Sequence, residues 1–578
     1  MVDAARLLRE SFNGDHGVCM FHNAPFDIEV AMVHFGLEWP RLWGDTMFLA
    51  FLSNPREATL SLKPLSEKYL RRKPKERDAV FQWLLDNGVK DEKGRKITAA
   101  KAGAFISWAP GALVGRYAVA DVEMTASLAQ KLGTKVTKAG MYDAYKREVA
   151  LAPITLSMEQ TGILVDVPRL KPLEVALTGI VEKVNKHVIK LLDGAKALPE
   201  DFNVASGAQL GEALVAAGKL SKETLTATGK QSTAMSVLLE TCSDKELTEA
   251  LSLRSVAEKY LTGFVRPWIE SAARANGYVN PRFNQIRNRT SEGGGGTRTG
   301  RYSSSDPNFQ NIPANVDESK NAATLKLLAN ELAASGIGDF QGLRDYFLPD
   351  PGSIWVAADY NQQELRILAH FEKGKLMQEY LKNPNLDVHA WVQTMVNDAT
   401  GANYPRKFIK TVVFGLLYGM GAEKLGLSLG IEKEDAAKLR KGVLDALPGV
   451  RELVKTTKGR ICTWGGRIYE VEPPRELDGE MDQGSHTRDW GGDMTFEYKQ
   501  LNYLIQGSAA DCTKQGMLNV AAALPDCRIA IQVHDELGVM VSSESQVATL
   551  TEAMCDLGFR VPLTAAPKIS RTTWARAK

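Results

Sequence analysis

The sequence predicts a multi-domain α/β chain, α+β in layout, and three observations carry that prediction. Length is the first: 578 residues make roughly three to five domains at about 150 residues each. Composition is the second. With 44% apolar, 24% charged and 8% aromatic residues the chain is globular, which excludes a disordered, collagen-like or disulfide-scaffold protein. Periodicity is the third. Helical spacing governs most of the chain, but SIWVAAD (353–359) and RIAIQV (528–533) are short apolar runs that read as strands.

In chain order, GVCMFHN (17–23) reads as a short buried strand entering a loop, and APFDIEVAMVHFG (24–36) has helical spacing. Residues 62–85 are basic and helical. Residues 115–200 read as long helices interrupted at Pro153, Gly162 and Pro168, and residues 200–275 continue helical with a break at TATGKQST (226–233). A Gly-, Arg- and Ser-rich loop spans 280–313. Between the two strand-like runs lie mostly helices and one polar, acidic loop (473–493).

No run of 18 apolar residues exists, so no membrane span is expected. The start, MVDAARLLRESFNGD, carries Asp3 and Glu10 without a continuous apolar core, unlike a signal or transit peptide. The net charge of +2 means that any affinity for nucleic acid comes from local patches. Six scattered cysteines with no CxxC argue against zinc or redox motifs and fit reduced thiols in the cytoplasm.

The chemistry gathers at three places. Asp359 closes the first strand, and YNQQELRILAHF turns helical after it. The second run reads strand, tight turn, strand, with His534, Asp535 and Glu536 at the hairpin tip. Three titratable groups at a tip ask for a cation or a positive ligand. If the two segments are sheet neighbours, Asp359 and Asp535 converge; such a pair can bridge two Mg²⁺ ions about 3.5–4 Å apart, as phosphoryl transfer needs. Two solvated turn aspartates explain either residue alone, and spacing does not decide. In RKFIKTVVFGLLYG (406–419), Arg406, Lys410, Phe414 and Tyr418 recur every fourth residue. A drift of about 40° per step keeps them on one broad helix face. Cations followed by aromatics suit a ligand with a polyphosphate at one end and a flat base at the other. Snorkelling cations over core aromatics are the plainer alternative.

Taken together, DYNQQELR (359–366), RKFIKTVVFGLLYG (406–419) and QVHDE (532–536) resemble motifs A, B and C of the family A DNA polymerases. TGRYSSSDPNFQNIP (299–313) resembles that family's primer–template segment, and LNYLIQGSAAD (501–511) the helix before motif C. FNVASGAQLGEAL (202–214) and TATGKQST resemble its thumb, and the resemblance covers about 17–578. It implies a right hand of palm, fingers and thumb behind a partial RNase H-like 3′–5′ exonuclease domain. The implied boundaries are 1–145 exonuclease-like, 146–285 thumb, 286–370 palm, 371–500 fingers and 501–578 palm again.

Residue roles follow by similarity. Asp359 and Asp535, with the Tyr360 carbonyl, would hold two Mg²⁺ ions (Mn²⁺ as substitute), with Glu536 close by in support. Arg406 and Lys410 would hold the dNTP triphosphate, Lys410 also protonating the leaving pyrophosphate, and His389 would reach a phosphate. Gln362, Phe414 and Tyr418 would complete the dNTP site, and Glu364 would exclude a ribose 2′-OH. Arg301, Asn308, Gln310, Arg467, Asn502, Gln506 and His534 would read the minor groove of primer–template DNA, which checks shape without sequence. The loop holding Arg282, Arg287, Arg289, Arg298 and Arg301 against Glu292 alone is the basic patch that the net charge hides. Asn361 is a mild departure within motif A.

NAPFD (23–27) and YAVAD (117–121) resemble the exonuclease's second and third motifs: Asn23 and Asp27, with metal on Asp27 and Asp121 and Tyr117 orienting water. GDTMFLAFLSNP (44–55) resembles the same domain. No DxE precedes Asp27, so weak or absent proofreading is expected, unless another chain completes the domain. The implied setting is phage DNA replication in the host cytoplasm, without a 5′-nuclease domain and with helicase or processivity partners open. A phage-type RNA polymerase, a silent DNA-binding subunit and a nuclease are the alternatives; Glu364, the intact Asp359, Asp535 and Lys410, and the missing DxE argue against them in turn.

Overall fold

A computed structural model describes residues 2–14, 17–73, 75–98, 101–192, 198–221, 224–226, 229–290, 293–313, 322–471, 475–477, 480–482 and 499–577. Its centre is a four-stranded antiparallel sheet. The strand order is Arg528–Val533, Glu536–Val541, Ile354–Tyr360, Ala565–Ser570. Ile354–Tyr360 is buried along nearly its whole length, as its continuous apolar run requires. The two runs picked out in the sequence are therefore sheet mates, with the second arm of the hairpin between them. Register places Glu536 directly opposite Asp359. Helix Lys499–Ala523 lies behind the sheet, buried on most of its surface.

A helical block shares the sheet's core: Tyr142–Thr161, Val167–Leu192, Gly207–Ala216 and Lys245–Tyr260, the last continuing through a π turn into Arg266–Arg274. Pro153 does not interrupt its helix, contrary to expectation. It forfeits one backbone bond, but its neighbours Leu151, Ala152, Thr155 and Leu156 are all buried, and that packing holds the helix through it. Pro168 sits at a helix start, where its missing N–H costs nothing. Gly162 does end its helix: its φ is +69°, and a Cβ there would meet the Val279 carbonyl at 2.6 Å.

A second core joins the helices from Gln363–Glu372 to Pro448–Thr456 with the start of Lys499–Ala523. The N-terminal region has smaller cores of its own. There the helices Ala24–Phe35, Thr46–Ser53, Leu62–Leu70, Lys75–Asp86 and Gly111–Lys138 surround a parallel pair of strands, Cys19–Phe21 and Trp43–Asp45. The first strand is half-buried rather than buried, because among the described residues only one strand pairs with it.

The 280–313 segment is not simply a loop. Arg282–Asn284 pairs with Ser303–Ser305, and Asn288–Thr290 with Gly293–Gly295. Serine, asparagine and glycine carry little strand signal, so only the partner strands reveal these ladders. The acidic loop 473–493 lies outside the described residues, except for a ladder between Arg475–Leu477 and Glu480–Asp482.

Candidate active site

The hairpin tip is a tight turn of His534 and Asp535, with His534 in the left-handed region at φ 56°. The turn delivers Asp535 beside the end of the neighbouring strand, where its carbonyl accepts the Tyr360 N–H at 3.2 Å. The Tyr360 hydroxyl anchors that strand end on the Met554 carbonyl at 2.7 Å. The carboxyls of Asp359 and Asp535 lie close to each other. Solvent reaches Asp359, yet the atoms crowded around its carboxyl, and then the charges of Asp535 and Glu536, push its acid up to about 7. Two carboxyls this close are hard oxygen donors whose repulsion a divalent cation would relieve, so this pair fits Mg²⁺.

The helix Arg406–Leu417, capped by Tyr418, is tied through Tyr418 to Glu364, five residues after Asp359. Arg406 is paired with Asp387 at 2.9 Å and holds that carboxyl below its usual range. Lys410 is exposed one turn on. Phe414 is half-buried and lies parallel to Tyr418 at 6.5 Å, and the His389 ring is 5.6 Å from Phe414. The Tyr418 hydroxyl reaches Glu364 at 3.3 Å, and Arg301 clasps the other oxygen of Glu364. Gln506 lies beside Tyr418. One carboxylate thus ties the Arg301 segment to the helix end. Gln310 donates to the Gln532 side chain at 3.1 Å just below the tip, where His534 is exposed. Asn502 is half-exposed on its helix.

Three expected residues are engaged otherwise, and a fourth is buried. Arg467 is 2% exposed, and its guanidinium is spent on Asp511 (2.7 Å), the Gly507 carbonyl (2.7 Å) and the Tyr469 hydroxyl (3.1 Å). It is turned inward and packs against Gly300, which has a φ of +79° and where a Cβ would collide with the guanidinium. The Gln362 side chain is held by the Leu386 carbonyl (3.0 Å) and the Tyr380 hydroxyl (3.1 Å). Asn308 caps a short turn through the Asn311 N–H at 3.2 Å. His389 is 5% exposed, with burial pushing its pKa down to about 4, so it stands neutral by the cationic end of the helix.

The N-terminal cleft, about 1000 Å³, brings Asp27, Tyr117 and Asp121 together, and sends Asn23 to the neighbouring cavity. Burial pushes the Asp27 acid up to about 6. Asp121 is neutralised by Lys63, whose ammonium also lies 4.5 Å from the centre of the Tyr117 ring. A built-in cation on one of two carboxylates does not fit a bound pair of divalent ions. Lys63 had no signal in the sequence beyond one lysine in a basic stretch. Arg344 and Trp574, described below, had none.

Residues 172–576 match the family model for DNA polymerase family A, and residues 1–137 that for a 3′–5′ exonuclease. DNA polymerase I of Chloroflexus aurantiacus is 27% identical over 551 residues, covering 93% of this chain and 52% of that protein. DNA polymerase I of Caldicellulosiruptor bescii is 30% identical over 398 residues, covering 68% and 42%. The chain spans about half the length of the curated relatives it matches. A solved structure of the POL domain of Pol1 from M. smegmatis, in complex with DNA primer-template and dNTP, shares the fold. It superposes with a TM-score of 0.72 at 22% identity over 100% of this chain and 89% of that one.

Proposed function

The chain belongs to DNA polymerase family A, and from that premise we propose that it is a DNA-directed DNA polymerase extending a primer 3′-OH with dNTPs on a template. The observation that supports the reading is the Asp359–Asp535 pair at the end of the central sheet, with Glu364 of the following helix bonded to Tyr418 of the Arg406–Tyr418 stripe. The M. smegmatis neighbour was solved with the ligands proposed here.

Asp359 and Asp535, with the Tyr360 carbonyl, would hold two Mg²⁺ ions. When bound, the ions supply an activated primer hydroxyl and charge relief on the phosphates. The chain's own residues do the rest. Lys410 meets the triphosphate and gives its proton to the departing pyrophosphate. Arg406 exchanges Asp387 for a phosphate oxygen. Phe414 packs on the sugar, and Tyr418 stacks where the template base arrives. Glu364, steadied by Arg301 and Tyr418, fills the space that a ribose 2′-OH needs. Arg301, Gln310, Asn502, Gln506 and His534 line the path of the primer–template. Catalysis is positioning plus charge stabilisation.

Proofreading by this chain is weak or absent, a reading supported by Lys63 on Asp121. Replication is the process served, with phage replication as the setting suggested by the sequence; the relatives named above are bacterial.

The test is a labelled primer, matched or mismatched at its 3′ end, on a longer template with Mg²⁺, with and without dNTPs. Extension of the matched primer without shortening of the mismatched one is expected. Shortening would overturn the proofreading reading, preference for rNTPs the substrate reading, and no extension the polymerase reading itself.

A further inference from the structure

Glu536 is directly opposite Asp359 in the ladder, so the two side chains stand on one face of the sheet. A third carboxylate at that place, one residue from Asp535, has the reach to join the same cation. It is turned elsewhere. The Trp574 indole N–H donates to one Glu536 oxygen at 3.0 Å, and the Arg344 guanidinium faces the other at 4.0 Å. Arg344 also lies over the Trp574 ring at 4.4 Å, so the two cradle residues brace each other.

The cradle is stiff. Trp574 is 2% exposed, stacks on Trp355 at 5.6 Å and 18°, and meets Phe347 edge-on at 5.9 Å. Between the cradle and Asp359 lies a cavity of about 310 Å³, lined also by Lys568 and Asn361. Room for the carboxylate to swing towards Asp359 therefore exists, and the indole hydrogen bond is what prevents it.

We propose that Trp574 and Arg344 are positioning residues that hold Glu536 away from the ions of the Asp359–Asp535 pair. The inference rests on the metal role given to that pair. Its physical sense is in ligand number. Two carboxylates leave coordination positions free for a primer oxygen and phosphate oxygens. A third would add charge, tighten the ion and occupy one of those positions.

The experiment is a Mn²⁺ titration of the DNA-free full chain, followed by electron paramagnetic resonance. Trp574→Phe keeps a ring in the stack and removes the donor. It should bind Mn²⁺ about tenfold more tightly, a shift of the size that neighbouring groups impose on metal ligands. Arg344→Met should move affinity the same way. The gain should vanish in the Trp574→Phe/Glu536→Gln double variant, which a merely structural role for the tryptophan would not produce. Unchanged or weaker binding in both single variants, over a site that Asp359→Asn abolishes, would overturn the proposal alone. So would an equal gain in the double variant. Wild-type binding indifferent to Asp359→Asn would overturn the metal reading, and this proposal with it.

Discussion

The central sheet and the N-terminal cleft each bring two aspartates together, and they treat them in opposite ways. In the sheet, Asp359 and Asp535 meet, and burial followed by the charges of Asp535 and Glu536 pushes the Asp359 acid up to about 7. In the cleft, Asp121 is already paired with Lys63, beneath the Tyr117 ring. Matching motifs therefore do not make matching sites. A third residue, brought in from elsewhere in the chain, decides whether a carboxylate pair is left wanting a cation or is satisfied without one. The first arrangement stores repulsion that an ion can release, and the second has already spent it.

The largest expected effect separates the two sites directly. Asp535→Asn should lower single-nucleotide incorporation at least about 10³-fold, since it removes several kcal/mol of charge stabilisation. Asp121→Asn should leave it within about twofold. A comparable loss from both variants, in the same rapid-quench assay, would break the comparison.

Stability sharpens it next. Lys514 is 1% exposed and bonded through two 2.7 Å contacts to Glu148, beside the Arg467–Asp511–Arg147 group. Lys514→Met strands Glu148 in the core and should cost about 3–5 kcal/mol. Lys63→Met leaves Asp121, whose side chain is 27% exposed, free to rehydrate, and should cost no more than about 1 kcal/mol. Hydrogen exchange of the helix Lys499–Ala523, compared with that of Gly111–Lys138, reads each loss where it occurs.

A further effect is in pH. Burial, the leading cause at each, lowers both His22 in the N-terminal region and His389 by the helix Arg406–Leu417 to about 4. The unfolded chain takes up these protons near pH 6.5, before the folded one does. Their contribution is therefore complete above pH 6.5 and declines as the pH falls towards 4. Unfolding midpoints across that window should fall with pH, and His389→Gln should flatten the fall. A steeper fall in that variant would contradict the buried, neutral state of the ring.

Much of the frame is legible in the sequence because it is local. The apolar runs at 353–359 and 528–533, the tight turn between polar groups at 534–536, and the four-residue stripe from Arg406 to Tyr418 are each written in neighbouring residues. The order of these segments and their resemblance to known motifs extend the reading to the family. Local patterns also mislead. Pro153 reads as a break because its cost is local while the packing that holds it is not. Arg467 is expected in a DNA groove, whereas it is bound to Asp511, a partner 44 residues away.

Partnership is what the tertiary structure alone decided. Lys63 meets Asp121, Trp574 meets Glu536, and Lys514 meets Glu148 across separations of 58, 38 and 366 residues. Spacing along the chain carries no trace of such pairs, since a charged or aromatic side chain has the same local signal whether it faces water or another group. The sequence by itself determined which residues could do chemistry, through their types and their periodicity. The fold determined which of them are free to do it, because a carboxylate's affinity for a cation depends on the charges, donors and burial that distant segments bring to it.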